Sequence, residues 1–234
     1  MSLVLRETLL ASKESILNKE HNLWMGYSHG NKWFTLENIR LLIDFGVTYT
    51  KKSFLIWIPS RLYSTNFKYI ENESRAKSLR LAFELGDKMR KEIENIVAQL
   101  PEEQREKVII SSYEESFTLK FFAQREILMK EFSKQLKFYE LIIEIANDIL
   151  EVRGRTISKD RAESIALYTL QELPLFLDGV SKIGEGTIHT VIIYPGLGKL
   201  DQLVKSIKEG AEFAVLREQL QITNKTGIAD VQQR

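Results

Sequence analysis

Ser28 is the residue around which covalent chemistry could be organised. It follows a short apolar run, Leu23, Trp24 and Met25, that ends in Gly26. Trp33, Phe34, Leu36, Ile39, Leu42 and Ile43 then recur at helical spacing, so residues 22–46 read as strand, tight turn and helix. That pattern places the Ser28 hydroxyl at or just before a helix N-terminus, where unpaired N–H groups and the helix dipole favour developing negative charge. A serine so placed can be a nucleophile with an oxyanion site beside it, although serine is equally a preferred N-cap. Tyr168 and Glu172 stand four apart and project from one helix face. A carboxylate beside a phenol can hold a substrate ammonium and shuttle protons. The bland alternative is a surface pair contributing about 0.2–0.5 kcal/mol. Tyr194 and Pro195 close a fourth apolar run, and His29 adjoins Ser28. No histidine shows an acid partner arranged as in a Ser-His-Asp triad.

The elements that must position these residues alternate. FLIWIP at 54–59 and VIIS at 108–111 read as buried strands, the first stopped by Pro59, and IHTVIIYPG at 188–196 as another. Strand, helix and strand from 22 to 59 form a βαβ unit, whose ligands bind at the carboxyl ends of the strands. Ser28 and the segment after Pro59 therefore belong on one sheet edge. The spacing predicts a long amphipathic helix over 73–100 and an almost continuous one over 116–150. A third begins at Ser158 and is kinked or ended just beyond Glu172 by Pro174. Gly46 is placed as a helix C-cap, residues 3–18 as an irregular or helical lead-in, and the tail from Glu218 as frayed. Lys88, Arg90 and Lys91 form a dense basic run that reads as a solvated helix face or as a phosphate contact.

Bulk properties bound the possibilities. A chain of 234 residues, 44% hydrophobic and 28% charged, fits one globular domain spanning 1–234. The absence of cysteine excludes a disulfide framework, a thiolate zinc site and a Cys nucleophile. His21, His29 and His189 are too scattered for a convincing metal cluster, so no metal is expected. A net charge of +1 gives no global steering toward nucleic acid. No apolar run approaches the roughly 18 residues of a spanning helix, and a cytoplasmic, membrane-free monomer is expected.

The segment Gly26-Tyr27-Ser28-His29-Gly30-Asn31 resembles the Gly-x-Ser-x-x-Asn signature of the tRNA-dependent cyclodipeptide synthases. The segment from Tyr168 through Glu172 to Pro174 is similar to their second signature, Tyr-x-x-x-Glu-x-Pro. The resemblance implies an α/β, Rossmann-like parallel sheet flanked by helices, similar to the catalytic domain of class I aminoacyl-tRNA synthetases. It also implies synthesis of a 2,5-diketopiperazine, a secondary metabolite, from two aminoacyl-tRNAs without a cofactor. Ser28 would carry aminoacyl and then dipeptidyl groups, Tyr168 and Glu172 would hold the amino group, and Tyr194 would aid proton transfer. Trp24, Gly26, Leu175 and Phe176 map onto the first amino-acid pocket, and Asn31, Tyr194 and Pro195 onto the second. Pro195 leans toward the x-Tyr-Pro subfamily, from whose pattern Asn31 departs. Lys88, Arg90 and Lys91 correspond to part of the family's tRNA-contacting helix. A serine esterase and a noncatalytic tRNA-binding module are the competing readings, the former lacking a Gly-x-Ser-x-Gly elbow.

Overall fold

The computed structural model describes residues 2–28, 31–116, 118–210 and 212–233. Six strands, β1 (Leu3–Leu9), β2 (Leu23–Gly26), β3 (Phe54–Ile58), β4 (Val108–Ser112), β5 (Val191–Tyr194) and β6 (Gly227–Gln233), form one sheet. Their order is β1-β6-β5-β2-β3-β4, all neighbours parallel except β1 and β6. The helices are α1 (Lys13–Leu17), α2 (Leu36–Tyr49), α3 (Ser64–Tyr69), α4 (Arg75–Val97), α5 (Glu102–Arg105), α6 (Leu119–Lys134), α7 (Leu136–Val152), α8 (Lys159–Asp178), α9 (Lys199–Glu209) and α10 (Ala214–Leu220). None of the described helices is long and apolar enough to cross a membrane.

Alternation along the strands divides the core in two. Phe54, Ile56 and Ile58 face α2 and α4, whereas Leu55 and Trp57 face the layer built from α6 to α10. Both sheet faces are therefore covered, which explains why the central strands read as continuous apolar runs.

The chain leaves β2 toward β3 and β4 on one side and returns to β5 on the other. The crevice between β2 and β5 is thus the topological switch point, at whose carboxyl edge open α/β sheets bind ligands. Ser28 follows β2 and Tyr194 ends β5, so both lie at this edge.

Several expectations are corrected. Residues 3–9 and 227–233 are paired strands, not a lead-in and a frayed tail, so the sheet is mixed. The 116–150 helix is two helices meeting at Gln135, whose extended backbone ends α6. Gly46 lies inside α2, where a Cβ would come 2.5 Å from the Phe54 ring, and the helix is capped at Thr50 instead. The glycine therefore permits close helix-to-strand approach. Pro174 does not end α8 beyond Glu172. The helix continues to Asp178 because Leu173, Leu175 and Leu177 are buried and its last carbonyls are met from outside. Thr226 Oγ1 donates to Phe176 O at 2.8 Å and Lys208 Nζ to Leu177 O at 2.9 Å.

Candidate active site

The loop joining β2 to α2 is longer than a tight turn. Helix α2 starts at Leu36 with Thr35 as its N-cap, accepting from Asn38 N at 3.2 Å, so Ser28 neither caps nor abuts a helix N-terminus. Trp33 and Phe34 belong to this loop, where their aromatic rings pack edge-on at 5.5 Å. His29 and Gly30 lie outside the described residues. The loop is organised by Asn31. Its carboxamide oxygen accepts from Trp33 N at 3.0 Å while its Nδ2 donates to the Tyr194 hydroxyl at 3.4 Å. The Ser28 hydroxyl lies close enough to Tyr194 to act on its phenol.

Tyr194 is held from behind by its own loop. Asp230, paired beside it on β6, accepts from Gly196 N at 2.7 Å, and Asp201 accepts from Gly198 N at 2.6 Å. Burial raises the Tyr194 phenol above its ordinary value, while the nearby Ser28 hydroxyl and the Asn31 amide act in the opposite sense.

Helix α8 supplies the second half. Tyr168 donates to Oε1 of Glu172 at 2.9 Å. Both side chains sit deep in the molecule yet keep partial solvent access, as groups lining a recess do. Burial pushes the Glu172 carboxyl up to about 7, against the lowering effect of the Tyr168 bond. The Tyr168 phenol is raised by burial and then by the Glu172 charge. The Glu172 charge also raises the phenols of Tyr63, Tyr113 and Tyr194, as a carboxylate in their neighbourhood does. A carboxyl poised near neutrality among phenols can bind an ammonium or take its proton.

Trp24 is buried and meets Phe176 edge-on at 5.6 Å, with Leu175 buried beside it. At Gly26 an added Cβ would lie 3.6 Å from Trp57 and 4.0 Å from Trp24, ordinary contact distances. Glycine here keeps open a small space between two indole rings. Pro195 follows Tyr194 on the same edge.

Two further residues near Glu172, Tyr63 and Tyr113, carried no chemical signal in the sequence. Tyr63 sits after β3, stacks edge-on to Tyr168 at 6.4 Å and accepts from Arg153 Nη2 at 3.4 Å. Tyr113 packs against Trp57 and donates to Gln171, the neighbour of Glu172, at 3.2 Å. Their only sequence cue was position at a strand's carboxyl end. His21 and His189 precede β2 and β5, at the opposite edge of the sheet from Ser28, and bond Ser15 and Ser53. The basic run on α4 is not uniform. Arg90 pairs with Glu115 at 2.9 Å, Lys88 approaches Glu92 at 3.9 Å, and Lys91 is exposed.

A mostly parallel sheet with a hydroxyl pair at its switch point, faced by a buried acid and phenols, defines an α/β protein with a site suited to acyl transfer. The profile described as cyclodipeptide synthase matches residues 7–219. The chain belongs to the cyclodipeptide synthase family, which are tRNA-dependent aminoacyltransferases. No curated protein matches the sequence. Among solved structures, the fold is similar to a cyclo(L-leucyl-L-phenylalanyl) synthase, at 14% identity, TM-score 0.74 and 100% of both chains. It is also similar to a Mycobacterium tuberculosis protein said to demonstrate that cyclodipeptide synthetases are related to type I tRNA synthetases. That match has 15% identity and TM-score 0.70 over 94% of this chain and 89% of the other. A third is a cyclodipeptide synthase from Candidatus Glomeribacter gigasporarum bound to Phe-tRNAPhe, at 15% identity and TM-score 0.58 over 91% and 88%.

Proposed function

We propose that this chain, acting as one domain, joins two aminoacyl groups into a cyclic dipeptide by a ping-pong reaction on Ser28. The observation that carries the reading is that Ser28 and Tyr194 stand at the same switch-point edge, where the Asn31 amide donates to the Tyr194 hydroxyl and the Glu172 carboxyl is near enough to act on that phenol. Ser28 Oγ attacks the ester carbonyl of the first aminoacyl-tRNA, and the ribose hydroxyl leaves carrying a proton. The resulting aminoacyl-enzyme keeps its amino group beside Tyr168 and Glu172, where burial and phenol contacts favour a neutral amine.

That amine attacks the second aminoacyl-tRNA, forming the peptide bond and releasing the second tRNA. Glu172 accepts the proton that the amine loses and returns it toward the departing ribose oxygen. The new terminal amine then attacks the Ser28 ester, closing the ring. Ser28 Oγ departs and is reprotonated through Tyr194. Because each ester is already activated, positioning and charge stabilisation suffice. Donors at Asn31 and Tyr194, not a helix N-terminus, serve the developing oxyanion.

The first side chain occupies the space bounded by Trp24, Gly26, Leu175 and Phe176, and the second lies toward Asn31, Tyr194 and Pro195. Pro195 favours the x-Tyr-Pro subfamily. No cofactor or metal has a step in this scheme, and the chain works as a cytoplasmic monomer. Lys88 and Lys91 serve as outer tRNA contacts, with Arg90 principally a tie to Glu115.

Mass spectrometry on the medium of bacteria expressing the chain or Ser28→Ala tests the reading. A product equal to two amino-acid residues, present only with the intact serine, is expected. If purified protein given a mixed aminoacyl-tRNA pool makes no such product, the reading fails. Labelling by a fluorophosphonate with ester hydrolysis but no tRNA requirement would instead identify an esterase.

A further inference from the structure

Tyr27, the residue before Ser28, takes no part in the reaction as proposed, yet it is fixed on three sides. Its backbone N–H donates to Trp57 O at 3.0 Å, carrying the β2–β3 ladder one residue past Gly26. Its ring meets Phe34 edge-on at 5.7 Å, and Phe34 in turn packs 5.4 Å from the Tyr194 ring. Its hydroxyl donates to Oε2 of Glu92 on α4 at 3.4 Å. The two ends of the β2–α2 loop are thereby tied to each other, and through Glu92 to a helix 65 residues away in sequence. The other oxygen of Glu92 faces Lys88 at 3.9 Å, a looser contact.

Alternation along β2 decides what this tie can do. Leu23, Met25 and Tyr27 belong to the core shared with α2 and α4, which includes Met89 and Ile93 on either side of Glu92. Trp24 faces the opposite layer, against which Tyr168 packs. Carried one residue past Tyr27, the same alternation turns Ser28 to the Trp24 face. The Tyr27 phenol therefore points away from the substrate side and is no proton donor there. What it sets is the direction in which the next residue leaves the strand. Burial, and then the Glu92 charge, push this phenol up to about 12, so it stays a donor at neutral pH.

We infer that Tyr27 and Glu92 are positioning residues for the acylation of Ser28: the Tyr27 hydroxyl, anchored on α4, fixes the exit of β2 so that the serine is presented to the opposite face. The inference rests on the proposed reaction and adds to it the tie that holds its nucleophile in place.

Rapid-quench acylation of the full chain by a radiolabelled aminoacyl-tRNA pool tests it. The variants are Tyr27→Phe, Glu92→Ala, Glu92→Gln and the double change of Tyr27→Phe with Glu92→Ala. In a single turnover at saturating substrate, Tyr27→Phe and Glu92→Ala should each slow acylation of Ser28 about tenfold, the size of one hydrogen bond to a charged acceptor. The double variant should be no slower than either, because both changes remove the same bond. Glu92→Gln keeps an acceptor oxygen and should recover most of the rate. The half-saturating concentration should not rise, since neither residue binds substrate. Hydrogen exchange supplies a readout that needs no substrate. Peptides covering Gly26 to Phe34 should exchange faster in Tyr27→Phe, while peptides from β3 and α4 stay as they are.

Unchanged acylation rates, losses that multiply in the double variant, or unchanged exchange of the loop would overturn the inference. Thermal melting identifies a variant that fails to fold, and the change at the other end of the bond, on a different element, then decides. The native protein separates the two claims. If it forms an acyl-enzyme and the variants match its rate, the positioning role alone is lost. If it forms none, the reaction is lost and exchange judges the tie by itself. Faster exchange confined to the loop then leaves the tie standing, and unchanged exchange removes it as well.

Discussion

The hydroxyl of Tyr168 donates to Oε1 of Glu172 across one turn of α8, at 2.9 Å. Burial nevertheless dominates, leaving the carboxyl at about 7.

The rate of cyclic dipeptide formation should therefore rise with pH through about 7 as Glu172 loses its proton. Glu172→Gln should abolish that limb and lower kcat about 10²- to 10⁴-fold. The stability linkage has the opposite sign. The folded carboxyl holds its proton to a higher pH than the unfolded one, whose value is near 4.5, so folding stability falls between about 4.5 and 7. Glu172→Gln should melt higher than the native protein at pH 8, with the gap closing by pH 5. A flat rate profile from pH 6 to 8 would remove Glu172 as the proton acceptor.

Tyr194→Phe deletes the hydroxyl that accepts from Asn31 and lies near Ser28 but keeps the ring that packs 5.4 Å from Phe34. Melting temperature should change by only a few degrees, since a single net hydrogen bond is worth about 0.5–1.5 kcal/mol. Turnover should fall at least 10²-fold. Rapid-quench analysis should find the acylated serine accumulating, because release depends on reprotonating Oγ. Normal turnover would exclude the hydroxyl from proton transfer.

Asp230→Ala strips the acceptor from Gly196 N and leaves Arg6, 3.9 Å away, without its partner. Gly196 is exposed, so water can replace the lost acceptor, and urea denaturation should show a loss of only about 0.5–1.5 kcal/mol, the net worth of one hydrogen bond. The loop carrying Pro195 loses a tether at the same time. KM for the second aminoacyl-tRNA should rise more than that for the first, measured with one substrate saturating.

Gly46→Ala sets two effects against each other. Alanine is favoured over glycine in a helix interior by about 1 kcal/mol. Its Cβ would stand 2.5 Å from the Phe54 ring, a conflict within the tight core that costs about 1–3 kcal/mol. The clash should win, and denaturant midpoints should fall. A rise would show that Phe54 has room to move.

The interior strands were legible because burial on both faces writes itself as runs such as Phe54–Ile58, and Ser28, Tyr168 and Glu172 because their spacing survives without structure. The two strands at the β1 edge were not. β6 carries Asp230, Gln232 and Gln233 among its apolar residues, and what makes it a strand is pairing with β5 and with residues 3–9, far away in sequence. Proline similarly misled at 174, where burial of Leu173, Leu175 and Leu177 outweighs one missing N–H. Gly26-Tyr27-Ser28 suggested a turn into a helix, yet the intervening loop is shaped by Asn31, whose two bonds follow from no periodicity. Tyr63, Tyr113 and Arg153 reach the recess through tertiary packing alone.

Strand β6 is translated after every other element, yet it occupies an interior place between β1 and β5. A nascent chain on the ribosome can form the β2–β3–β4 half early, but β5 then has no neighbour on its far side and Gly196 no Asp230 to hold it. The second-substrate side of the recess is therefore assembled only once β6 has emerged and paired with β5. An incompletely synthesised chain that already exposes Ser28 lacks the means to finish the product.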